Sequence, residues 1–288
     1  MGALPAYPPA VQQSVAEFMS AAPSSVRALS GSSAWASTYS TTLRRVIHEH
    51  AARAPRTLQS YLGPSELGAV CDRQVAGKMA ALPATNHVSD PWPSIVGTAC
   101  HAWAAEAFEA DNARSGVLRW VAEQKVTPHP NHPGTADLYD AVEHAVVDHK
   151  FLGESSLAKV RSAAGPPRHY VVQLLLYGLG YRNLGLPVRR VALAAYPRTA
   201  ASLDGLYVWE RAFADEHGNV LPDVVELLTE VFAQTEQRRA WADEIVAGRQ
   251  GLLDVSADPS ADECYFCPFY RPQAARDGGT GCPGSVSA

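Results

Sequence analysis

The sequence predicts an α/β fold, a mixed β-sheet flanked by helices, and three observations carry that prediction. Stretches with helical apolar spacing alternate with short strand-like runs, in the order helix, three strands, helix, two strands, helix. Two of the strand-like runs, 134–140 and 144–151, are joined by the polar link Asp140-Ala141-Val142-Glu143, which reads as a hairpin. Hydrophobic residues make up 47% of the 288 residues, enough for a substantial core, yet no run of about 18 uncharged apolar residues signals a membrane span.

The elements follow in order. Residues 1–40, rich in Ala, Ser and Pro, read as loosely ordered, with a short helix around 10–21. A helix over 38–54 ends near Pro55, which cannot continue it. Ser65-Glu66-Leu67, after Gly63-Pro64, opens a short helix carrying Cys71, and the Pro/Asn/Asp-rich stretch 83–93 is a loop. The Ala-rich run from Ala99 to Ala110, with Trp103 and Phe108, predicts a helix capped by Thr98. Residues 118–127, 134–140 and 144–151 read as strands, 168–183 as an apolar helix, 188–197 and 204–213 as strands, and 221–248 as a long helix. From 262 onward Cys, Pro and Gly break regular structure, and no internal repeat is present. The expected organisation is an N-terminal extension over 1–55, a core over 56–261 and a Cys-rich tail over 262–288.

The formal net charge is −5, which argues against non-specific coating of nucleic acid by charge. A carboxylate-rich metal site lowers net charge and is compatible with it. Arg44, Arg45, Arg53 and Arg56 form a local basic group that reads as a solvated helix face. The N-terminus lacks a basic region followed by an apolar one, so a cytoplasmic location and reduced cysteines are expected.

The chemistry concentrates in Gly134-Thr135-Ala136-Asp137 and Val146-Val147-Asp148-His149-Lys150. Side chains alternate along a strand, so Asp148 and Lys150 point the same way, and a hairpin brings Asp137 beside them. Two carboxylates side by side are costly unless a cation neutralises them, and hard oxygen ligands favour Mg²⁺ or Mn²⁺. A lysine there orients or deprotonates water, or stabilises charge on a phosphate. Upstream, His101 lies one turn into a helix. Downstream, Gln173 and Tyr177 are four apart on one helix face. Glu123-Gln124-Lys125 also fits an acid-x-lysine pattern, but it precedes the Asp137 motif and is set aside as a decoy.

In this order, Gly97 to His101, Gly134 to Asp137, Asp148 to Lys150 and Gln173 to Tyr177 resemble the motifs of the PD-(D/E)XK nuclease superfamily, RecB/Cas4-like branch. The resemblance covers roughly 63–282. It implies a restriction-endonuclease-like core and a metal-dependent exonuclease acting on single-stranded DNA or duplex ends. His101, Asp137, Asp148 and the His149 backbone carbonyl become the metal ligands by that likeness, Lys150 the catalytic lysine, and Gln173 and Tyr177 supports of the site that contact DNA. The Ala/Arg-rich composition suggests a recombination or CRISPR-adaptation protein as partner, and the lack of a long apolar run no membrane. Trp92, Trp103 and Tyr177 are candidates for stacking on bases. The contrasting reading is a DNA-gripping subunit with a weak site, against which the complete motif set argues.

A cytosolic CxxC with further cysteines points to metal or redox chemistry. Cys264-Tyr265-Phe266-Cys267 is such a pair, Cys282 follows, and Cys71 lies far upstream. One early and three late cysteines resemble the arrangement that holds a 4Fe–4S cluster in the same branch, a staple joining the two ends of the domain. The step of 15 residues from Cys267 to Cys282 is longer than that family's pattern. On spacing alone a Cys₄ Zn²⁺ site fits equally well. Cys100 reads as a small buried side chain.

Overall fold

The computed structural model describes residues 33–53, 62–86, 90–257, 261–274 and 281–284. The chain divides into two units, Met1–Leu58 and Gln59–Ala288. The first contains helix α1 (Ser33–Ala52), on which Arg44 and Arg45 are exposed and Arg45 pairs with Glu49 at 2.8 Å. The expected helix around 10–21 and Arg56 lie outside the described residues.

The second unit is a mixed α/β body around one five-stranded sheet in the order β1-β2-β3-β4-β5. The strands are β1 (Trp120–Val126), β2 (Gly134–Asp140), β3 (Ala145–Leu152), β4 (Arg190–Pro197) and β5 (Tyr207–Ala212). β1–β2, β2–β3 and β4–β5 are antiparallel, whereas β3–β4 is parallel, with Asp148 opposite Leu193 and Lys150 opposite Ala195. A parallel pair needs a long crossover. Here it is made by α5 (Glu154–Arg161) and α6 (Arg168–Asn183).

Helix α6 is the centre of the core. Val172, Leu174, Leu175, Leu176 and Tyr181 are fully buried with Val146, Val191 and Leu193 of the sheet. Each such leucine contributes about 1.5–3 kcal/mol by leaving water. The long α7 (Pro222–Val246) buries Val224, Leu228, Val231, Thr235, Arg238 and Ala242, a stripe at alternating steps of four and three. Arg238 is fully buried, donating to Asp72 at 2.8 Å and to the carbonyls of Leu67 and Ala69. Those partners lie on or beside two short helices, α2 (Pro64–Leu67) and α3 (Asp72–Met79). Among the described residues no helix is long and apolar enough to cross a membrane.

Four sequence expectations need correction. Helix α4 starts at Trp92, six residues before Thr98, and runs to Ser115. Pro93 explains this, because proline is favourable in a first helical turn, where its missing N–H has no partner to lose. Gly116 stops the helix with φ of 70°, a left-handed cap that a Cβ disfavours. Thr98 is therefore interior. Cys71 is not carried inside a helix: α2 ends at Leu67, and Cys71 is the residue that precedes α3. α5 was not expected, because eight residues containing two serines give little periodic signal. The tail is partly regular, with α8 (Ala261–Phe266) and a bridge between Tyr270 and Cys282.

Candidate active site

The site begins where two strands part. The β2–β3 ladder pairs Asp140 with Ala145, Tyr139 with Val146 and Leu138 with Val147, then stops. One step further, Asp137 would face Asp148. Instead, Asp137 Oδ2 accepts the backbone N–H of His149 at 2.7 Å. The carboxylate takes the place of a ladder carbonyl and is fixed in the fork. Gly134 sets the start of β2: a Cβ there would meet the Pro64 ring at 2.6 Å, so only glycine lets α2 pack this close.

Asp148 and Lys150 point toward α6, while His149, between them, points to the other face. There its ring stacks on Phe108 of α4, with centroids 5.5 Å apart. On the α6 face, Gln173 joins the parts. Its Nε2 donates to Asp148 Oδ1 at 2.9 Å, its Oε1 accepts from Lys150 Nζ at 3.1 Å, and Tyr177 OH lies 3.2 Å from Nε2. Asp148 Oδ2 lies 2.6 Å from Lys150 Nζ in a buried ion pair. Tyr177 is only 5% exposed, so it is no platform for a base, whereas Trp92 and Trp103 are exposed.

His101 reaches the fork from α4, with Nδ1 3.3 Å from Asp137 Oδ2. Glu123 joins them. Ligand atoms of His101, Glu123 and Asp137 all lie within 4.8 Å of one another. The sequence reading had set Glu123 aside, and sheet order explains its arrival. β1 lies beside β2, and the pairs Ala122–Leu138 and Gln124–Ala136 put Glu123 opposite Asp137. Antiparallel counting between the two runs was the signal that could have found it. At Glu123 the backbone turns left-handed, with φ of 50°.

The electrostatics divide the groups. Burial raises the Asp148 carboxyl to about 6, against the pull of Lys150, and Asp137 adds to the rise. Burial lowers the Lys150 ammonium, but Asp148 and Asp137 outweigh it and the net shift is upward. For Asp137 burial also acts upward, yet the hydrogen bond and charge of His101 bring it below the ordinary carboxylate value. His101 is lowered by burial and raised more by Asp137. Burial pushes the His149 imidazole down to about 4, so it is neutral, and it lies 3.3 Å from the Tyr196 hydroxyl.

The cysteines form a second centre in the same unit. Cys71, Cys264, Cys267 and Cys282 line one cavity with Arg73, Phe269 and Tyr270. Arg73 donates to Cys282 Sγ at 3.1 Å and to the carbonyls of Val255 and Leu253. Burial raises the Cys267 thiol, and the neighbouring Cys71, Cys282 and Cys264 add to that. Among the described residues, His101, Glu123 and Asp137 are a set of three metal-ligating side chains with ligand atoms within 4.8 Å of one another. Cys100 lies outside this cavity lining and is half-buried rather than buried.

No family model matches the sequence, and no curated protein matches it. Among solved structures, an alkaline exonuclease from Laribacter hongkongensis matches at 11% identity and a TM-score of 0.42, over 66% of this chain and 93% of that one. A phage related exonuclease from Haemophilus somnus 129PT matches at 11% identity and a TM-score of 0.32, over 66% and 96%.

Proposed function

We propose that this protein is a metal-dependent DNA exonuclease of the RecB-like PD-(D/E)XK type, working on single strands or duplex ends. The observation that carries the reading is the convergence of His101, Asp137, Asp148, Lys150 and Gln173 at one fork of the sheet, from four secondary-structure elements. A Mg²⁺ or Mn²⁺ ion would be held by His101, Asp137, Asp148 and the His149 backbone carbonyl, and would offset the charge that gathers on the attacked phosphate. The donor set suits it: buried carboxylate oxygens beside an imidazole.

The chain's own groups divide the remaining work. Lys150, held protonated by Asp148, acts as a cation toward the phosphate or the attacking water rather than as a base. Gln173 fixes Asp148 and Lys150 relative to each other, and Tyr177 supports Gln173 from within the helix. Asp137 is locked by the His149 amide, which sets that residue's backbone at the site. DNA is the substrate in this reading, and a recombination or CRISPR-adaptation protein the partner.

We assign Cys71, Cys264, Cys267 and Cys282 to a structural 4Fe–4S cluster rather than to Zn²⁺. Four sulfurs lining one cavity, one from early in the chain and three from its end, support this reading. The test of the nuclease reading is Lys150→Ala with labelled DNA and Mn²⁺. Cleavage should fall about 10²–10³-fold with circular dichroism unchanged. Full activity in that variant removes the assignment.

A further inference from the structure

We propose that His132 is a positioning residue for the cleavage centre, clasping the start of β2, and through it Asp137, between the Leu62 segment and α7. Its role in cleavage rests on the nuclease reading, whereas the clasp itself rests on geometry. His132 lies in the link between β1 and β2, just before Gly134, and is 2% exposed. Its two ring nitrogens have different partners. Nδ1 is 2.8 Å from the Leu62 carbonyl oxygen, and Nε2 is 3.1 Å from the Arg239 guanidinium. A carbonyl only accepts and a guanidinium only donates, so Nδ1 carries the proton and Nε2 is bare. One neutral tautomer satisfies both partners. Neither the other tautomer nor the charged ring does.

What the ring holds is the backing of the site. Leu62-Gly63-Pro64 runs beside Pro133-Gly134: a Cβ on Gly63 would lie 3.7 Å from the Pro133 carbonyl oxygen. A Cβ on Gly134 would come within 3.2 Å of Tyr177, the residue that supports Gln173. From Gly134 the strand runs directly to Asp137, whose carboxylate is fixed on the His149 amide. A shift at the clasp therefore reaches that carboxylate, and a misplacement of about 1 Å can cost about 10²-fold in rate. The charged groups facing the ring are Arg239 and Glu236 of α7 and, in its own link, His129. The His129 ring centroid is 5.2 Å from that of His132, and its Nε2 is 3.7 Å from Glu236. Burial pushes the His132 imidazole down, the Leu62 bond acts upward, and with Arg239 and His129 the net shift is downward. The stability it contributes is present above the ordinary value of 6.5 and is lost as pH falls through the lower folded value. Acid opens the α7 side first, because a proton on Nε2 faces Arg239.

The experiment uses the full chain labelled with ¹⁵N-histidine. Wild type is compared with His132→Asn, which keeps a donor toward Leu62, and His132→Leu, which keeps neither bond. Long-range ¹H–¹⁵N spectra of wild type, assigned by the signal that His132→Asn loses, should show the Nδ1-protonated tautomer, still mainly neutral at pH 6.5. A proton on Nε2 alone, or a mainly charged ring at that pH, overturns the clasp. Cleavage of end-labelled DNA with Mn²⁺ is then followed in single turnovers at saturating DNA, below each protein's melting temperature, beside DNA affinity. His132→Leu should cut about 10–10²-fold more slowly with DNA affinity unchanged, and His132→Asn should recover part of that loss. A folded His132→Leu that cuts at the wild-type rate overturns the positioning role and leaves the nuclease. If His132→Leu does not fold, His132→Asn decides: slower cutting at wild-type DNA affinity supports the role, and wild-type cutting overturns it. Wild type that cuts no DNA overturns the nuclease reading, and the role in cleavage falls with it.

Discussion

At the residue scale the site is a set of opposed titrations. Asp148 and Lys150 were legible from spacing, because i and i+2 on a strand share a face. Gln173 was legible as a helix residue, but its bridging of Asp148 and Lys150 was not, since that requires α6 to lie over β3. Glu123's place beside Asp137 was not legible from order along the chain, because it follows from position across the sheet. The carboxyl of Asp148, raised from 3.8 to about 6, has a consequence for stability. The folded protein holds a proton there that the unfolded chain has released, so this group's contribution is present below pH 3.8 and is lost as pH rises through about 6. A divalent cation replaces that proton. His101, raised by Asp137, acts in the same direction, because its imidazolium must lose a proton to bind. The gain in melting temperature on adding Mn²⁺ should therefore grow from pH 5 to pH 7. A gain independent of pH would mean that these groups do not hold the ion.

At the element scale the sheet's strands and the helices over 168–183 and 221–248 were read closely from periodicity. Boundaries failed where one residue outweighs a pattern. Pro93 starts α4 early, and α5 is too short to show a period. The packing of α7 onto α2 and α3 was not legible, because Arg238 lies on an apolar stripe and its partners are about 170 residues earlier. This arginine has no access to water and satisfies three acceptors. Arg238→Ala leaves Asp72 and two carbonyls without it and should cost about 3 kcal/mol. Chemical denaturation checks this. A loss under about 1 kcal/mol would show that water replaces the guanidinium. Because α3 follows Cys71 directly, the same variant tests how firmly the N-terminal arm of the cysteine centre is held.

At the scale of the whole molecule, the Gln59–Ala288 unit joins residues near both of its ends around four sulfurs, and Arg73 ties Cys282 to the Leu253–Val255 segment. The cysteine types and the CxxC were legible, and the resemblance supplied the grouping. The long step to Cys282 is bridged by backbone pairing of Cys282 with Phe269 and Arg271, which no spacing rule conveys. Protein purified without air should be brown, with absorbance near 400 nm that Cys71→Ser or Cys282→Ser removes. Colourless protein with one bound zinc would contradict the cluster assignment. Metal-dependent cleavage at the β2–β3 fork is tested most directly by incubating anaerobically purified protein with end-labelled single- and double-stranded DNA in Mn²⁺, Mg²⁺ or EDTA, beside Asp148→Ala. We predict shortening of labelled DNA with Mn²⁺ or Mg²⁺, none in EDTA, and none with Asp148→Ala. Intact DNA in every wild-type reaction, or cleavage that survives loss of Asp148, would contradict it.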